Sequence, residues 1–372
     1  MISRKVLVRL LAALSVVMVG ALAFSVFSIT AGSSHAAGVA SGPTPRTYTF
    51  HHNFQNVTAS RNSGGGALAT WTSSFVSGGI TYSYTMVGTD PTKGAATTTI
   101  PTTIVPLILK FSNGTTLDGT QKVSNTTGSP LFQKAQFLSG NTQYGDAIQR
   151  AEFWKSITIK PKNYHVLLGT PTVATAVTIT VPSTQGKILT DPSSGKNIGV
   201  ININWFDPQL QGLLTSLNFT PTMMPIFLSN DVYLSSGAPS INNCCIGGYH
   251  NAVQNSAGLQ TYIFSVNADA GLVNGFGEDV SALSHEMSEW LNDPYTNNVV
   301  PNWISPIAPQ YGCNNALEVG DPLVGVVFTV TGFTQHLQDE AFFSWFARQK
   351  PSIGIKGRYT YLGTFTSLSK VC

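Results

Sequence analysis

Ser284-His285-Glu286-Met287-Ser288-Glu289-Trp290-Leu291-Asn292-Asp293-Pro294 is the stretch on which the reading of this chain turns. It reads as the end of a helix that starts around Phe276 to Asp279 and runs to Leu291. Asp293-Pro294 stops it, because the residue before a proline is pushed out of the α region. Positions i and i+4 of a helix lie one above the other, so His285 and Glu289 share a face about one turn apart. An imidazole nitrogen and a carboxylate oxygen so placed can hold one metal ion, and both are ordinary Zn²⁺ ligands. Glu286, beside the first ligand, is placed to take a proton from water that the metal acidifies, which is metal-assisted hydrolysis. The pattern is the HExxH signature with Glu in place of the second His.

Working upstream, Gly199 to Trp205 alternates like a strand, and Pro208 to Leu217 reads as a short helix with proline near its first turn. Met224 to Leu228 and Asp231 to Leu234 suggest strands. A loop carrying Cys244-Cys245 and Gly247-Gly248-Tyr249-His250 follows, then a strand from Gln260 to Val266. The order is β, α, β, β, α, with the motif on the last helix.

Ser284 to Trp290 resembles the active helix of zincin-type metallopeptidases. In that fold a strand and a helix precede an edge strand, and the metal-binding helix comes after it. The likeness covers roughly residues 199–325. It implies an α+β fold: a β-rich N-terminal half followed by a zincin-like mixed sheet with an active-site helix. It also implies Zn²⁺ as cofactor, a peptide or protein as substrate, and Glu286 as the base. The longer string Ser284-His285-Glu286 through Asp293-Pro294, with Asn314 to Asp321 downstream, resembles a group of secreted bacterial proteins of undefined activity. Two departures from the zincin pattern stand out. Glu289 replaces a histidine, which makes Mn²⁺ or Ca²⁺ more plausible than in the parent motif. Tyr295 stands where a metzincin would place its third ligand.

That third ligand must therefore come from elsewhere. Zincins of the Glu type take it from a downstream segment, so Glu318 is the first candidate, with Asp321 and Asp293 behind it. Asp293 has a competing role in capping the helix end or orienting a ligand. His250 is the other imidazole expected near the site, on the metal or against a developing oxyanion. His336, at the start of an expected helix from Leu337 to Ala347, reads as structural. Glu278 and Asp279 read as first-turn acids that suit the helix dipole.

The N-terminal half holds no such constellation. Thr81 to Val87 alternates with period two, Ile104 to Phe111 is an apolar run ended by Asn113-Gly114, and Val166 to Leu168 and Ala176 to Val181 look like strands. One helix, Asp146 to Trp154, interrupts them. His51-His52 reads as an exposed loop pair, since neighbours on a strand face opposite ways. The expected division is residues 1–36 as leader, 37–46 as linker, 47–184 as a β-rich domain and 185–372 as the zincin-like domain.

Arg4, Lys5 and Arg9, the apolar run from Leu10 to about Phe27 and Ser34-His35-Ala36 form a secretory leader. The run is long enough to serve instead as an uncleaved membrane anchor. Either way the bulk of the chain is expected outside the cytoplasm. Removing residues 1–36 takes three bases from 20 and leaves 17 against 17 acids. A neutral balance argues against nucleic acid or an anionic membrane as partner.

Four cysteines in an exported chain suggest disulfides. The expected pairing joins Cys244 or Cys245 to Cys313, or Cys313 to Cys372. Cys244 with Cys245 is disfavoured by ring strain, and the four lack the CxxC spacing of a zinc site. No GxSxG elbow points to a serine hydrolase, and Glu286 and Glu289 are too close along one helix to flank a glycosidic bond. The sequence thus favours a secreted metal-dependent hydrolase, with a non-catalytic secreted or cell-surface binding protein on the same scaffold as the rival.

Overall fold

The computed structural model describes residues 66–159, 163–309, 312–351 and 357–372. The expected leader, the linker and His51-His52 lie outside them. The chain is a mixed α+β protein, β-rich through its N-terminal half.

The strand-like patterns of the first half form as read. A hairpin pairs β1 (Thr70–Ser77) with β2 (Ile80–Val87). The apolar run becomes β3 (Thr102–Phe111), and helix α1 (Tyr144–Glu152) follows before β4 (Val177–Val181). The second half supplies β5 (Gly186–Thr190), β6 (Asn197–Asn202), α2 (Ile203–Ser216), β7 (Met224–Asn230) and β8 (Val232–Ser235). After them come β9 (Cys244–Ile246), β10 (Gly248–Asn255), β11 (Gly258–Asn267) and the motif helix α3 (Ser281–Asn292).

The central sheet runs in the order β4-β3-β7-β11-β10. Its first four strands are mutually parallel, and β10 closes one edge antiparallel to β11. Strands buried on both faces read as continuous apolar runs. In β7, Ile226 and Leu228 face one core with Ile104 and Ile263, and Phe227 faces the other with Val105, Leu107 and Phe264. Helices α1 and α3 cover the first face, through Ala147, Ile148 and Ala151 on one and Leu283, Met287, Trp290 and Leu291 on the other. Helix α2 covers the second through Phe206, Leu210 and Leu214. A four-stranded sheet, β5-β6-β8-β9, lies apart from this path.

Several expectations need correction. The boundary at 184/185 does not divide the molecule, because β3 and β4 sit in the same sheet as β7, β10 and β11. The hairpin residues Trp71, Phe75, Tyr84 and Met86 also share one core with Trp303, Trp345, Phe346 and Phe365 near the C-terminus. Helix α2 begins at Ile203, before Pro208 rather than at it, because Asn202 caps it by accepting from the Asn204 amide. The motif helix begins at Ser281, later than expected, since Gly275, Gly277 and Asp279 take positive φ. The expected loop at Gly247 to His250 enters the edge strand β10. The expected helix from Leu337 to Ala347 shrinks to one turn at Phe343–Phe346, because Leu337–Gln338 pairs as a short strand. Cys313 pairs with Cys372 as one alternative held, but Cys244 pairs with Cys245 and not with Cys313. Among the described residues no helix is long and apolar enough to cross a membrane.

Candidate metal centre

Helix α3 is buried on all sides. Leu283, Met287, Trp290 and Leu291 fill the core beneath the sheet. At about 2 kcal/mol for each such side chain, that stripe contributes on the order of 8 kcal/mol. This anchors a helix whose other face carries ionisable groups that resist burial. Ser284 helps fix it, with its hydroxyl donating to the Ser281 carbonyl and accepting from the Gln338 amide.

The opposite face carries His285, Glu286 and Glu289, each no more than 6% exposed. His285 Nε2 lies 3.1 Å from Glu289 Oε1, 3.7 Å from Asp321 Oδ1 and 4.0 Å from Glu286 Oε1. Asp321 arrives from a segment whose Leu317, Val319 and Leu323 are sunk in the third core, so Glu318 and Asp321 are pressed toward the helix. Gly320 lies flat against the His285 ring. A Cβ there would meet ring atoms at 2.5–2.7 Å, so no other residue fits without moving the imidazole. The Gly320 and Asp321 amides also donate to Glu289 Oε1, at 3.1 and 3.2 Å.

The second imidazole comes from the edge strand. Because side chains alternate along β10, Tyr249 points to the core under α2 while His250 points to α3. Gly248 keeps the approach open, since a Cβ there would collide with Glu286 at 2.7 Å. His250 Nδ1 lies 3.4 Å from Glu286 Oε2 and 3.7 Å from Glu289 Oε2. Its Nε2 donates to the Asp293 carbonyl at 3.1 Å, which places a proton on Nε2 and turns Nδ1 toward the carboxylates. Glu318 stands on this side, in a group with His250 and Glu289. Its Oε2 is buried without a hydrogen-bond partner.

Two sets of donors therefore converge, His285–Glu289–Asp321 and His250–Glu289–Glu318, each with its atoms within 4.8 Å of one another. Four ligands at ~2.1 Å around zinc stand ~3.4 Å apart, and the spacings at His285 bracket that value. The donor set fits a divalent cation. His285 adds one condition. Gln338 Nε2 donates to the Gly320 carbonyl at 2.9 Å and lies 2.8 Å from His285 Nδ1, so the ring proton sits on Nε2. Freeing the Nε2 lone pair, or charging the ring, needs a proton on Nδ1. The Gln338 amide must then turn its oxygen to the ring.

Electrostatics agree with a cluster built for positive charge. Burial works against a charged His285, yet the carboxylates of Glu289, Glu286 and Asp321 hold its pKa well above the usual histidine range. Burial also opposes charge on His250, and Glu286, Glu318 and Asp293 push it up to about 9. Burial raises Glu289 against the pull of His285, and burial with the neighbouring Glu289 charge lifts Glu318 far above the ordinary carboxylate range.

The residues expected at the site lie together: Asp321 groups with His285 and Glu289, and Glu318 with His250 and Glu289. Asp293 stays off both sets. Its carboxylate accepts from the Asn297 and Asn298 amides, and its carbonyl orients His250. His336 lies elsewhere, bonded to Asp279 at 2.7 Å. Sequence reasoning missed Gln338 and Glu340. Glu340 is fully buried, accepts from the Tyr144 hydroxyl at 2.9 Å and feels the charge of His285. Their signal was Gln338-Asp339-Glu340, a polar triplet against the apolar run Phe342 to Phe346.

Comparison of the chain with family models, curated proteins and solved structures finds no match.

Proposed function

We propose that the chain is an exported metal-dependent hydrolase, a zinc peptidase of zincin-like build. The observation that carries this is the convergence of His285 Nε2 with carboxylate oxygens of Glu289 and Asp321 in one buried group. The antiparallel edge strand β10 beside the motif helix supports the zincin reading. The two disulfides suit an oxidising compartment.

His285, Glu289 and Asp321 would hold the ion. A divalent ion there supplies Lewis acidity and makes water a better proton donor. Glu286 would accept that proton, with His250 Nδ1 3.4 Å from its Oε2. Glu286 would then return the proton to the leaving amine, which regenerates the base. The experiment is elemental analysis with a peptidase assay on wild type, Glu286→Gln and His285→Ala. The reading expects metal without hydrolysis in Glu286→Gln and loss of metal in His285→Ala. Equal metal content in wild type and His285→Ala overturns it.

One observation favours a second reading, a non-catalytic protein with a structural ion. None of His250, His285, Glu286, Glu289, Glu318 and Asp321 is more than 6% exposed, and a substrate must reach a catalytic metal. Metal-loaded protein that cleaves no peptide in a broad library, and that unfolds at lower temperature when chelated, decides for it.

A further inference from the structure

We infer a second divalent-cation seat, formed by His250, Glu318 and the outer oxygen of Glu289, so that Glu289 bridges two ions. The inference rests on the metal-centre reading above and adds a site that the motif does not contain.

The motif accounts for one imidazole and one side of the cluster. It leaves His250 and Glu318 unexplained, and both are buried. A histidine that orients a base needs only one carboxylate near it. His250 Nδ1 has Glu286 Oε2 at 3.4 Å and Glu289 Oε2 at 3.7 Å, and it groups with Glu318 as well. Its other nitrogen is fixed on the Asp293 carbonyl. Donation of the far ring N–H to a carbonyl is how a ligating histidine is set in its metal-binding tautomer. His250 is thus already oriented to coordinate through Nδ1 once that nitrogen gives up its proton, whereas His285 also waits on a turn of Gln338.

Glu318 supplies the independent observation. Its Oε2 is shut away from solvent with no hydrogen-bond partner, and leaving such an oxygen bare costs about 1–3 kcal/mol, more when charged. Burial and the neighbouring Glu289 weigh most against its charge, His250 attracts it, and Asp321 and Asp293 repel it less strongly. A cation between Glu318, Glu289 and His250 satisfies the oxygen and reverses the repulsion.

Glu289 spans both seats. Its Oε1 faces His285 Nε2 at 3.1 Å, and its Oε2 faces His250 Nδ1 at 3.7 Å. One carboxylate with an oxygen on each ion is the usual link in two-metal centres, where the ions stand ~3.5–4 Å apart.

The test is equilibrium dialysis of the full chain against Mn²⁺, then against Zn²⁺, with wild type, Glu318→Gln and Asp321→Asn. Wild type is expected to hold about two ions per chain and each variant about one. EPR of the Mn²⁺-loaded wild type should show the spin-coupled spectrum of a bridged pair, and Glu318→Gln the simple spectrum of an isolated ion. Far-UV circular dichroism checks that each variant is folded, and His250→Gln gives a second route to the same seat if Glu318→Gln is not. Equal metal content in wild type and Glu318→Gln overturns the second seat and leaves the motif seat standing. Loss of an ion in Glu318→Gln but not in Asp321→Asn keeps the second seat and removes the first. No bound metal in any of the three overturns both.

Discussion

Tyr249 and His250 are neighbours on one edge strand, and they face two buried acid sites of opposite character. On the Tyr249 side, Asp207 is alone. Its Oδ1 accepts from the Tyr249 hydroxyl at 2.7 Å and the Tyr262 hydroxyl at 2.5 Å, and its Oδ2 accepts from Gln211 at 2.7 Å. One acid has three donors. On the His250 side, Glu286, Glu289, Glu318 and Asp321 share two imidazoles, and the Glu318 Oε2 has no partner. The first arrangement is complete as folded, and such a group holds structure together. The second leaves a carboxylate oxygen without a donor, and on the metal-centre proposal a cation completes it.

The contrast breaks most visibly at Asp207. Asp207→Ala strands two tyrosine hydroxyls and a glutamine amide beneath α2, and the loss is expected to be about 5 kcal/mol of unfolding free energy. Chemical denaturation measures it, and metal content per folded chain should not change. A variant that keeps its stability but loses metal would mean that the two sites are one device and that the comparison is false.

The same two sites show how far the sequence could be read. His285, Glu286 and Glu289 were legible because helix spacing alone places them on one face, and Glu318 and Asp321 stood out in a chain with few acids. Their assignment was not legible. Which one meets His285 depends on Leu317 and Val319 packing into a core made from the first hairpin and the C-terminal aromatics, a contact across the whole chain. The edge strand hid for a related reason. Tyr249, His250 and Asn251 are polar where a strand pattern expects apolar residues, because they serve the two acid sites. Helix α2 was misplaced because Ile201-Asn202-Ile203-Asn204-Trp205 alternates like a strand, while Asn202 in fact turns the chain and caps the helix. Local periodicity found the elements whose burial is one-sided and failed where a polar side chain was set by a distant partner.

Glu152 is a third case, an isolated buried acid between the two extremes. Its Oε1 accepts from the Phe343 amide, its Oε2 has no partner, and no imidazole faces it. Burial pushes its pKa from 4.5 up to about 8 despite that amide. Between those values the folded state keeps a proton that the unfolded state has released. Stability therefore falls as pH rises from the unfolded to the folded pKa and levels off above it. Glu152→Gln removes this slope and should stabilise the protein near pH 8 by about 4 kcal/mol, with no gain below pH 4. Unfolding midpoints across that range test it. A gain that is flat with pH would mean that Glu152 ionises freely in the fold, and that one backbone donor is enough to hold a buried carboxylate charge.

The smallest expected effect separates the two imidazoles themselves. His250 is oriented by a backbone carbonyl, which no substitution removes, whereas His285 is oriented by the Gln338 side chain. Gln338→Ala deletes that partner and leaves the Gly320 carbonyl without its 2.9 Å donor. Partners of this kind typically affect metal affinity by 10–100-fold. The lower end applies here, because Gln338 must turn before it can help and its loss also removes that cost. Competition against a chelator of known affinity should show about tenfold weaker binding at one seat, about 1.4 kcal/mol. The other seat should keep its affinity, because the Asp293 carbonyl still holds His250. Equal weakening at both would make the bridging Glu289, not the orienting partners, the element that sets affinity in this cluster.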